Sequence, residues 1–218
     1  MANDAIKVAV VTGSHGFDVP NFHQTFRALD GVDAYVQHMD DFAGSDEATR
    51  KSYDAVCFYH MIMDTPVNGE AWYAGQPKTA MEQLGDTEQG IFVLHHSILA
   101  FPQWDLWTEL TGLQDRAFGF HPDQQLHIDV ANGEHAITQG LASWDMGDET
   151  YTMPEPTGDN DVLLTTVHDL CMNTILWTRQ FKQSRVVCFQ SGHDNVTWAD
   201  SNFRDVLRRG LLWSAKRL

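Results

Sequence analysis

The feature that most constrains the fold is a series of short, almost wholly apolar runs separated by stretches with helical spacing. The clearest runs are IKVAVVTG (6–13), YDAVCFYHM (53–61), GIFVLHH (90–96) and RVVCFQSGHD (185–194). Strands this apolar are buried on both faces, which is typical of parallel sheets covered by helices. The alternation of runs and helical stretches therefore predicts an α/β fold with a mostly parallel sheet and helices on both faces.

The remaining segments complete this pattern. Further strands are predicted at 32–39, 124–131, 161–167 and 174–179. Helices are predicted at 19–29, 77–86, 103–113 and 201–218. The middle third alternates polar and apolar residues, which indicates an antiparallel extension of the sheet, whereas 134–151 consists mostly of turn-forming residues. Since the chain contains no repeat or linker, residues 1–218 are expected to form a single domain.

Charge and cysteine content limit the partners and the compartment. Lys and Arg number 14 against 30 Asp and Glu, so a formal charge of −16 repels phosphate backbones and no nucleic-acid partner is expected. No stretch approaches the ~20 apolar residues of a membrane span, so no membrane partner is expected either. Cys57, Cys171 and Cys188 are odd in number and widely spaced, which favours reduced thiols and a cytoplasmic location.

Histidines follow four of the predicted buried strands. Those at a strand end, or within about four residues of one, are His15, His60, His95, His96 and His193. Because parallel strands end along one edge, we expect at least three of these imidazoles to converge where open α/β sheets bind ligands. Neutral imidazole is the commonest metal ligand and the usual acid/base group near neutral pH. The alternative is a set of hydrogen-bonded histidines beneath a loop.

Carboxylates accompany the histidines. Asp148 and Glu149 lie in GDETY, which is predicted to be a turn, and Asp194 directly follows His193. Such groups can orient an imidazole, complete a metal shell or act as a general base. The alternatives are an exposed turn for the first two and an N-cap near the final helix for Asp194.

Other motifs are weak or absent. TGSHGFD is not G-x-G-x-x-G and no phosphate-binding lysine follows it, so no nucleotide cofactor is expected. There is no G-x-S-x-G elbow. Trp72, Trp144 and Trp198 are predicted to lie in loops, where an aromatic face suits a sugar ring, although loop aromatics also act as lids or packing plugs.

In these motifs the chain resembles the ThuA-like family, named for trehalose utilisation. The resemblance runs nearly from end to end and includes VVTGSHGFDVPNFHQTF, YDAVCFYH, GIFVLHHSIL, HAITQGL with DETY, and SRVVCFQSGHDNVTW. It implies a three-layer α/β/α sandwich of the flavodoxin-like, class I glutamine amidotransferase-like type. In true amidotransferases a nucleophilic cysteine follows the strand that corresponds to 91–96; here His95 and His96 hold that place, so glutaminase activity is not expected.

The resemblance also implies a role in the metabolism of trehalose or related disaccharides. The preferred hypothesis is an enzyme acting on a small-molecule sugar or keto-sugar, with a divalent metal, zinc first, as its cofactor. The expected metal ligands are His60, His95 and His193. The expected catalytic residues are His95, His193, Glu149 and Asp194, and the expected substrate-binding residues are His15, His96, Asp148 and Trp198.

Two other roles stay open at this stage. A non-catalytic carbohydrate-binding or regulatory protein on the same scaffold would use the same loop tryptophans and histidines. A structural partner in a larger assembly is also compatible with the sequence. For a homo-oligomer, the expected contact is an apolar patch around Phe101, Trp104 and Trp107.

Overall fold

A computed structural model describes residues 5–69 and 77–218 of the chain. Its strands are β1 (Ile6–Gly13), β2 (Val32–His38), β3 (Ala55–His60), β4 (Gly90–Leu94), β5 (Gly119–Val130), β6 (Trp144–Thr152), β7 (Asp161–Thr165), β8 (Thr174–Phe181) and β9 (Ser184–Phe189). Its helices are α1 (Val19–Arg27), α2 (Met39–Gly44), α3 (Glu47–Lys51), α4 (Pro77–Glu82), α5 (Asp105–Thr111), α6 (Asn195–Ala199) and α7 (Ser201–Ser214). A 3₁₀ turn, His95–Leu99, directly follows β4.

The strands form one nine-stranded sheet in the order β2-β1-β3-β4-β9-β8-β7-β5-β6. The first five of these are parallel to one another, and each later neighbour pairs antiparallel. This confirms the predicted mostly parallel sheet with an antiparallel extension. The C-terminal ends of β1, β3, β4 and β9 therefore lie along one edge, where the loops that bear the histidines begin.

Helices cover both faces of the parallel half of the sheet. On one face Phe22 of α1 and Phe203 of α7 pack against strand residues such as Phe92. On the other face Phe42 of α2 and Trp107 of α5 pack against the alternate strand residues. Each face has its own hydrophobic core because the side chains of a buried strand alternate between the two sides. The result is the expected three-layer α/β/α sandwich.

The prediction of a turn at GDETY was wrong. Asp148 and Glu149 lie within β6, which pairs with β5 on both sides of Glu149. Trp144 and Met146 face the core from alternate positions, and two residues of β5, Pro122 and Asp123, lie opposite Glu149 in a β-bulge. Asp148, Glu149 and Thr150 are all buried although they are polar, so no alternation of apolar and polar residues marks the strand, and the local sequence resembles a turn.

The apolar patch expected at an oligomer contact is inside the chain. Phe101 and Trp107 are fully buried, and the Trp107 indole N–H donates to the Ser97 carbonyl at 2.9 Å. Only Trp104 is partly exposed. These residues therefore form core rather than a surface for a second copy.

Two further expectations concern membrane-spanning segments and the cysteines. Within the described ranges, no helix combines the length and the apolar character that crossing a bilayer requires. Cys57, Cys171 and Cys188 are all free and buried.

Candidate functional site

The centre of the site is the sharp turn by which β4 enters the 3₁₀ turn. His95 adopts a positive φ of 51° there, a conformation that is uncommon for any residue except glycine. Strained turns of this kind lift one side chain out of the end of a strand and occur at functional sites. His95 consequently stands at the carboxyl edge of the sheet, and its side chain is fully buried.

The backbone fixes the tautomer of His95. Nδ1 lies 2.7 Å from the carbonyl oxygen of Gln190, at the end of β9, and can only donate to it. The lone pair of the neutral ring is therefore on Nε2, which points towards Glu149 and His193. A carbonyl that holds the distal nitrogen is the usual means of orienting a metal-ligating histidine.

Three potential ligand atoms form a nearly equilateral triangle. His95 Nε2 and His193 Nδ1 are 3.2 Å apart, and each lies 3.5 Å from Glu149 Oε1. Ligands ~2.0–2.1 Å from a tetrahedral Zn²⁺ are separated by about 3.3–3.4 Å. The triangle therefore has the dimensions of three corners of a zinc tetrahedron. Among the described residues, this is the group of three or more His, Cys or acidic side chains close enough to share an ion.

Glu149 is ionised in this environment. Burial opposes its charge, but hydrogen bonding to His95 and Tyr151 and attraction to His95 and His193 outweigh the burial, so the pKa of Glu149 lies below its ordinary value. Glu149 and Tyr151 are two residues apart on β6, so their side chains point to the same side of the strand. The group thus combines one negatively charged carboxylate with two imidazoles, and this donor set is suited to a divalent cation.

Tyr151 is a site residue that the sequence did not reveal. Its hydroxyl lies 2.8 Å from His95 Nε2, and the ring is buried. Burial and the nearby Glu149 raise the pKa of Tyr151 well above its ordinary value, so it remains a neutral phenol that can donate a proton. Tyr151 belongs to the DETY motif, but because that motif was predicted to be a turn, the tyrosine was not expected to be a site residue.

His15 and His96 form a second pair beside the triangle. Their rings stack with centroids 4.2 Å apart, and His15 also approaches the His193 ring edge-on at 6.0 Å. Neither ring nitrogen of His96 has a hydrogen-bond partner among the described residues. Burial, aided by the neighbouring imidazoles, lowers the pKa of both, so these two histidines are neutral near pH 7.

A cavity of about 230 Å³ lies beside the triangle and reaches it at Glu149. Its lining residues are His15, Met61, Phe118, Phe120, Glu149 and Tyr151. Phe120 is 62% exposed at its rim. One side of the cavity is therefore polar and ionisable and the other is apolar, as in many small-molecule sites.

His60 does not join the other histidines, and its predicted role as a metal ligand is corrected. Adjacent residues of a strand point to opposite faces, and Tyr59 faces the His96 ring whereas His60 packs between Phe101 and Trp107. It is fully buried, and burial lowers its pKa to about 3. The third member of the group that could hold an ion is Glu149.

The two other carboxylates bind backbone rather than an open cavity. Asp194 caps α6, its Oδ1 accepting from the N–H of Val196 at 2.9 Å, which is the alternative role considered from the sequence. Asp148 is buried and accepts from the N–H groups of Gly192 and His193. The structure therefore places neither carboxylate where it was expected to act, as a catalytic and a substrate-binding group respectively.

Of the three tryptophans predicted to lie in loops, the two that the structure describes are not sugar platforms. Trp198 is buried against Phe22, and its indole N–H donates to the Gly192 carbonyl at 2.8 Å. Trp144 begins β6 and is also buried. Trp72 lies outside the described residues. Phe118 and Phe120 supply the aromatic surface of the cavity instead.

The sequence matches a known protein family. The family model described as "ThuA: Trehalose utilisation" matches residues 7–214. Among curated proteins, none matches this sequence.

Solved structures agree with the family match. A ThuA-like protein from Parabacteroides merdae superposes with a TM-score of 0.75 at 18% identity, covering 97% of this chain and 90% of that one. A protein from Salmonella typhimurium described as cytoplasmic gives 0.68 at 14%, covering 96% and 99%. PurLQS from Thermotoga maritima gives 0.59 at 11%, covering 95% and 98%. At these identities the likenesses establish the fold, which is glutamine amidotransferase-like.

Proposed function

Because the chain belongs to the ThuA family, we propose that it is an enzyme of sugar metabolism whose His95–Glu149–His193 group binds a divalent metal. The observation that supports this most directly is the triangle of ligand atoms with sides of 3.2, 3.5 and 3.5 Å. Two imidazoles and a carboxylate form the donor set of catalytic rather than structural zinc sites, and Glu149 also lines the neighbouring cavity.

The proposed substrate is a neutral sugar or keto-sugar bound in the cavity beside the triangle. A volume of about 230 Å³ suits a single sugar ring rather than a whole disaccharide. The apolar side, formed by Met61, Phe118 and Phe120, suits the C–H face of such a ring, while His15 and Tyr151 face its hydroxyl groups. When bound, the metal supplies polarisation of a carbonyl or of adjacent hydroxyls.

Two residues around the cavity can take part in proton transfer. His15 is neutral and partly exposed, so it can accept a proton from a carbon next to a carbonyl or from a hydroxyl. Tyr151 holds its proton at neutral pH and can donate it to a substrate oxygen. The pair serves either enolisation or C–O cleavage. Glutamine hydrolysis is not proposed, because an imidazole replaces the thiol at the elbow.

We place the protein in the cytoplasm. All three cysteines are free, as expected in a reducing compartment. A structural neighbour from Salmonella typhimurium is described as cytoplasmic, which supports the same location.

The test is the metal content of untagged protein, followed by Zn²⁺ titration of His95→Ala and His193→Ala. We expect about one equivalent of metal in the wild type and loss of it in both variants. His127→Ala is the matched control, because His127 is an exposed histidine on β5 bonded to Asp145. Wild-type protein with neither bound metal nor affinity for Zn²⁺ would contradict the metal-dependent enzyme.

A non-catalytic carbohydrate-binding protein is the second candidate, and the exposed Phe120 at the cavity rim favours it. Sugar affinity separates the two functions. If the binder is correct, His95→Ala and His193→Ala keep the wild-type affinity for trehalose and glucose. If the enzyme is correct, sugar binding depends on the metal and falls in both variants.

A further inference from the structure

Asp148 is the most densely bonded buried carboxylate near the site. Its Oδ2 accepts from the Gly192 N–H at 2.9 Å, and its Oδ1 accepts from the His193 N–H at 3.1 Å and from the Glu149 N–H at 2.9 Å. The Thr197 hydroxyl lies 2.7 Å from Oδ1. Asp148 is 4% exposed, so these donors replace nearly all of its contact with water.

The dipeptide Gly192–His193 is also held through its carbonyl groups. The Tyr59 hydroxyl lies 3.2 Å from the Gly192 oxygen and 3.1 Å from the His193 oxygen. The Trp198 indole N–H donates to the Gly192 oxygen at 2.8 Å. Both peptide groups of Gly192–His193 are therefore bonded to buried side chains, although the segment belongs to no helix or strand.

Gly192 lies in a tightly packed position where a side chain would not fit easily. Its φ is 133°, and a Cβ there would lie 3.1 Å from Leu94 Cδ1 and 3.4 Å from Phe203 Cζ. The chain thus passes close to the end of β4 and then places the His193 ring beside His95. A loop fixed in this way loses little conformational entropy when its side chain binds a ligand.

We propose that Asp148 is a positioning residue that, together with Thr197, holds the Gly192–His193 backbone so that His193 Nδ1 stays in the triangle with His95 and Glu149. This inference rests on the metal site proposed above, and it assigns to Asp148 a role distinct from substrate binding. Asp148 also bonds the Glu149 N–H, so a single carboxylate orients two of the three ligand residues.

Only a carboxylate satisfies this donor set. An asparagine has one acceptor oxygen, and its NH₂ group would face one of the N–H or O–H donors that now bond to Asp148. Asp148→Asn therefore leaves at least one buried donor unpaired and loosens the loop. Residues that orient metal ligands typically change metal affinity by about 10–100-fold when they are replaced.

The test combines Zn²⁺ affinity, measured by competition with a chelating dye, with amide hydrogen exchange of metal-free protein. For Asp148→Asn we expect an affinity loss of about tenfold or more and faster exchange of the Gly192 and His193 amides. Thr197→Val should show a smaller loss, and Thr197→Ser, which keeps the hydroxyl, should restore wild-type affinity. Asp145→Asn, an exposed change on the same strand, should alter neither readout.

The two readouts keep this inference separate from the proposed function. Wild-type affinity for Zn²⁺ in Asp148→Asn, or unchanged exchange of the two amides, overturns the positioning role. If wild-type protein binds no Zn²⁺, the metal proposal fails, and amide exchange alone decides whether Asp148 holds the Gly192–His193 backbone. If Asp148→Asn does not fold, the contrast between Thr197→Val and Thr197→Ser decides, and equal affinity in both overturns the inference.

Discussion

At the scale of single residues, the site depends on which nitrogen of His95 bears the proton. The Gln190 carbonyl accepts from Nδ1, so Nε2 presents its lone pair, and Tyr151 is the neighbour closest to that lone pair at 2.8 Å. A cation bound at Nε2 would displace the hydrogen bond from the tyrosine hydroxyl. Tyr151 would then keep its hydrogen bond to Glu149, while His95 would exchange the tyrosine for the cation.

This exchange of partners makes Tyr151→Phe informative. The variant loses a proton donor but no metal ligand, so we expect Zn²⁺ affinity equal to or greater than that of the wild type. Turnover of a keto-sugar should fall about 100-fold or more, the usual contribution of a positioned acid. Tyr35→Phe, a change at an exposed tyrosine on β2, is the control. Loss of Zn²⁺ in Tyr151→Phe would show that the phenol supports the metal rather than the substrate.

The cavity rim provides a second prediction for a single side chain. Phe120→Ala removes an exposed ring from the apolar side of the cavity, so sugar affinity should fall about tenfold while Zn²⁺ binding is unchanged. Saturation-transfer NMR with glucose and trehalose measures the effect. Tyr35→Ala removes an exposed ring at the opposite end of the sheet and should have no effect. Equal sugar signals in Phe120→Ala and wild type would exclude the rim as a sugar contact.

Histidine position along the strands predicted part of this site. His95 and His193 follow parallel strands directly or after a short loop, so the topology alone brings them together. His60 was mistaken for a third ligand because a strand end fixes the edge of the sheet but not the face to which the side chain points. The role of Gln190 could not be predicted, since it acts through its carbonyl and any residue supplies one.

At the scale of elements, the close approach of α7 to the sheet fixes the position of the final loop. Gly210 lies over Phe92 of β4, and a Cβ there would be 2.5 Å from Phe92 Cε2. Phe203, in the first turn of the same helix, packs near Gly192. The glycine therefore lets α7 lie close enough to support the segment that bears His193.

Gly210→Ala tests this contact. Alanine has the higher helix propensity, by about 1 kcal/mol, but the clash with a fully buried ring outweighs that gain. We expect the free energy of unfolding to fall by about 1–3 kcal/mol in urea titrations. Gly133→Ala is the matched control, because its Cβ meets nothing closer than 3.8 Å, and it should be neutral or slightly stabilising. A Gly210→Ala protein as stable as the wild type would mean that α7 can shift outward freely.

The elements differ in how well the sequence predicts them. Strands β1, β3 and β4 were predicted to within about two residues because burial on both faces leaves an apolar run that little else produces. β6 was missed because two of its buried residues are carboxylates, and their partners lie in the 3₁₀ turn after β4 and on the segment after β9. Such tertiary partners leave no periodic signal in WDMGDETYT.

At the scale of the whole molecule, an acidic surface encloses a group of neutral imidazoles. The chain has a formal charge of −16, yet His60 and His96 are almost completely buried. The pKa values of His15, His60 and His96 are all lowered, first by burial. Protons that the unfolded chain would bind are therefore excluded from the folded one.

Acid should consequently destabilise the fold well above the range in which carboxylates titrate. A histidine whose folded pKa lies below its unfolded value of 6.5 contributes fully to stability above pH 6.5, and the contribution is lost as pH falls towards the folded pKa. Glu149, whose pKa is lowered from 4.5, loses its contribution only below that value. Between pH 6.5 and 4.5 the buried histidines therefore dominate this loss, and His127, whose pKa is raised by Asp145, opposes it only weakly because it is exposed.

His60→Leu isolates one of these histidines without touching the ligand triangle. We expect urea unfolding of the wild type to show a free energy that falls with acid, and the slope in His60→Leu to be smaller by up to about 1.4 kcal/mol per pH unit between pH 6 and pH 4. Phe58→Leu, a neutral change in the same core, should lower stability equally at every pH. If His60→Leu and Phe58→Leu have parallel pH profiles, His60 is protonated in the folded protein, and the packing of its ring between Phe101 and Trp107 must then accommodate a charge.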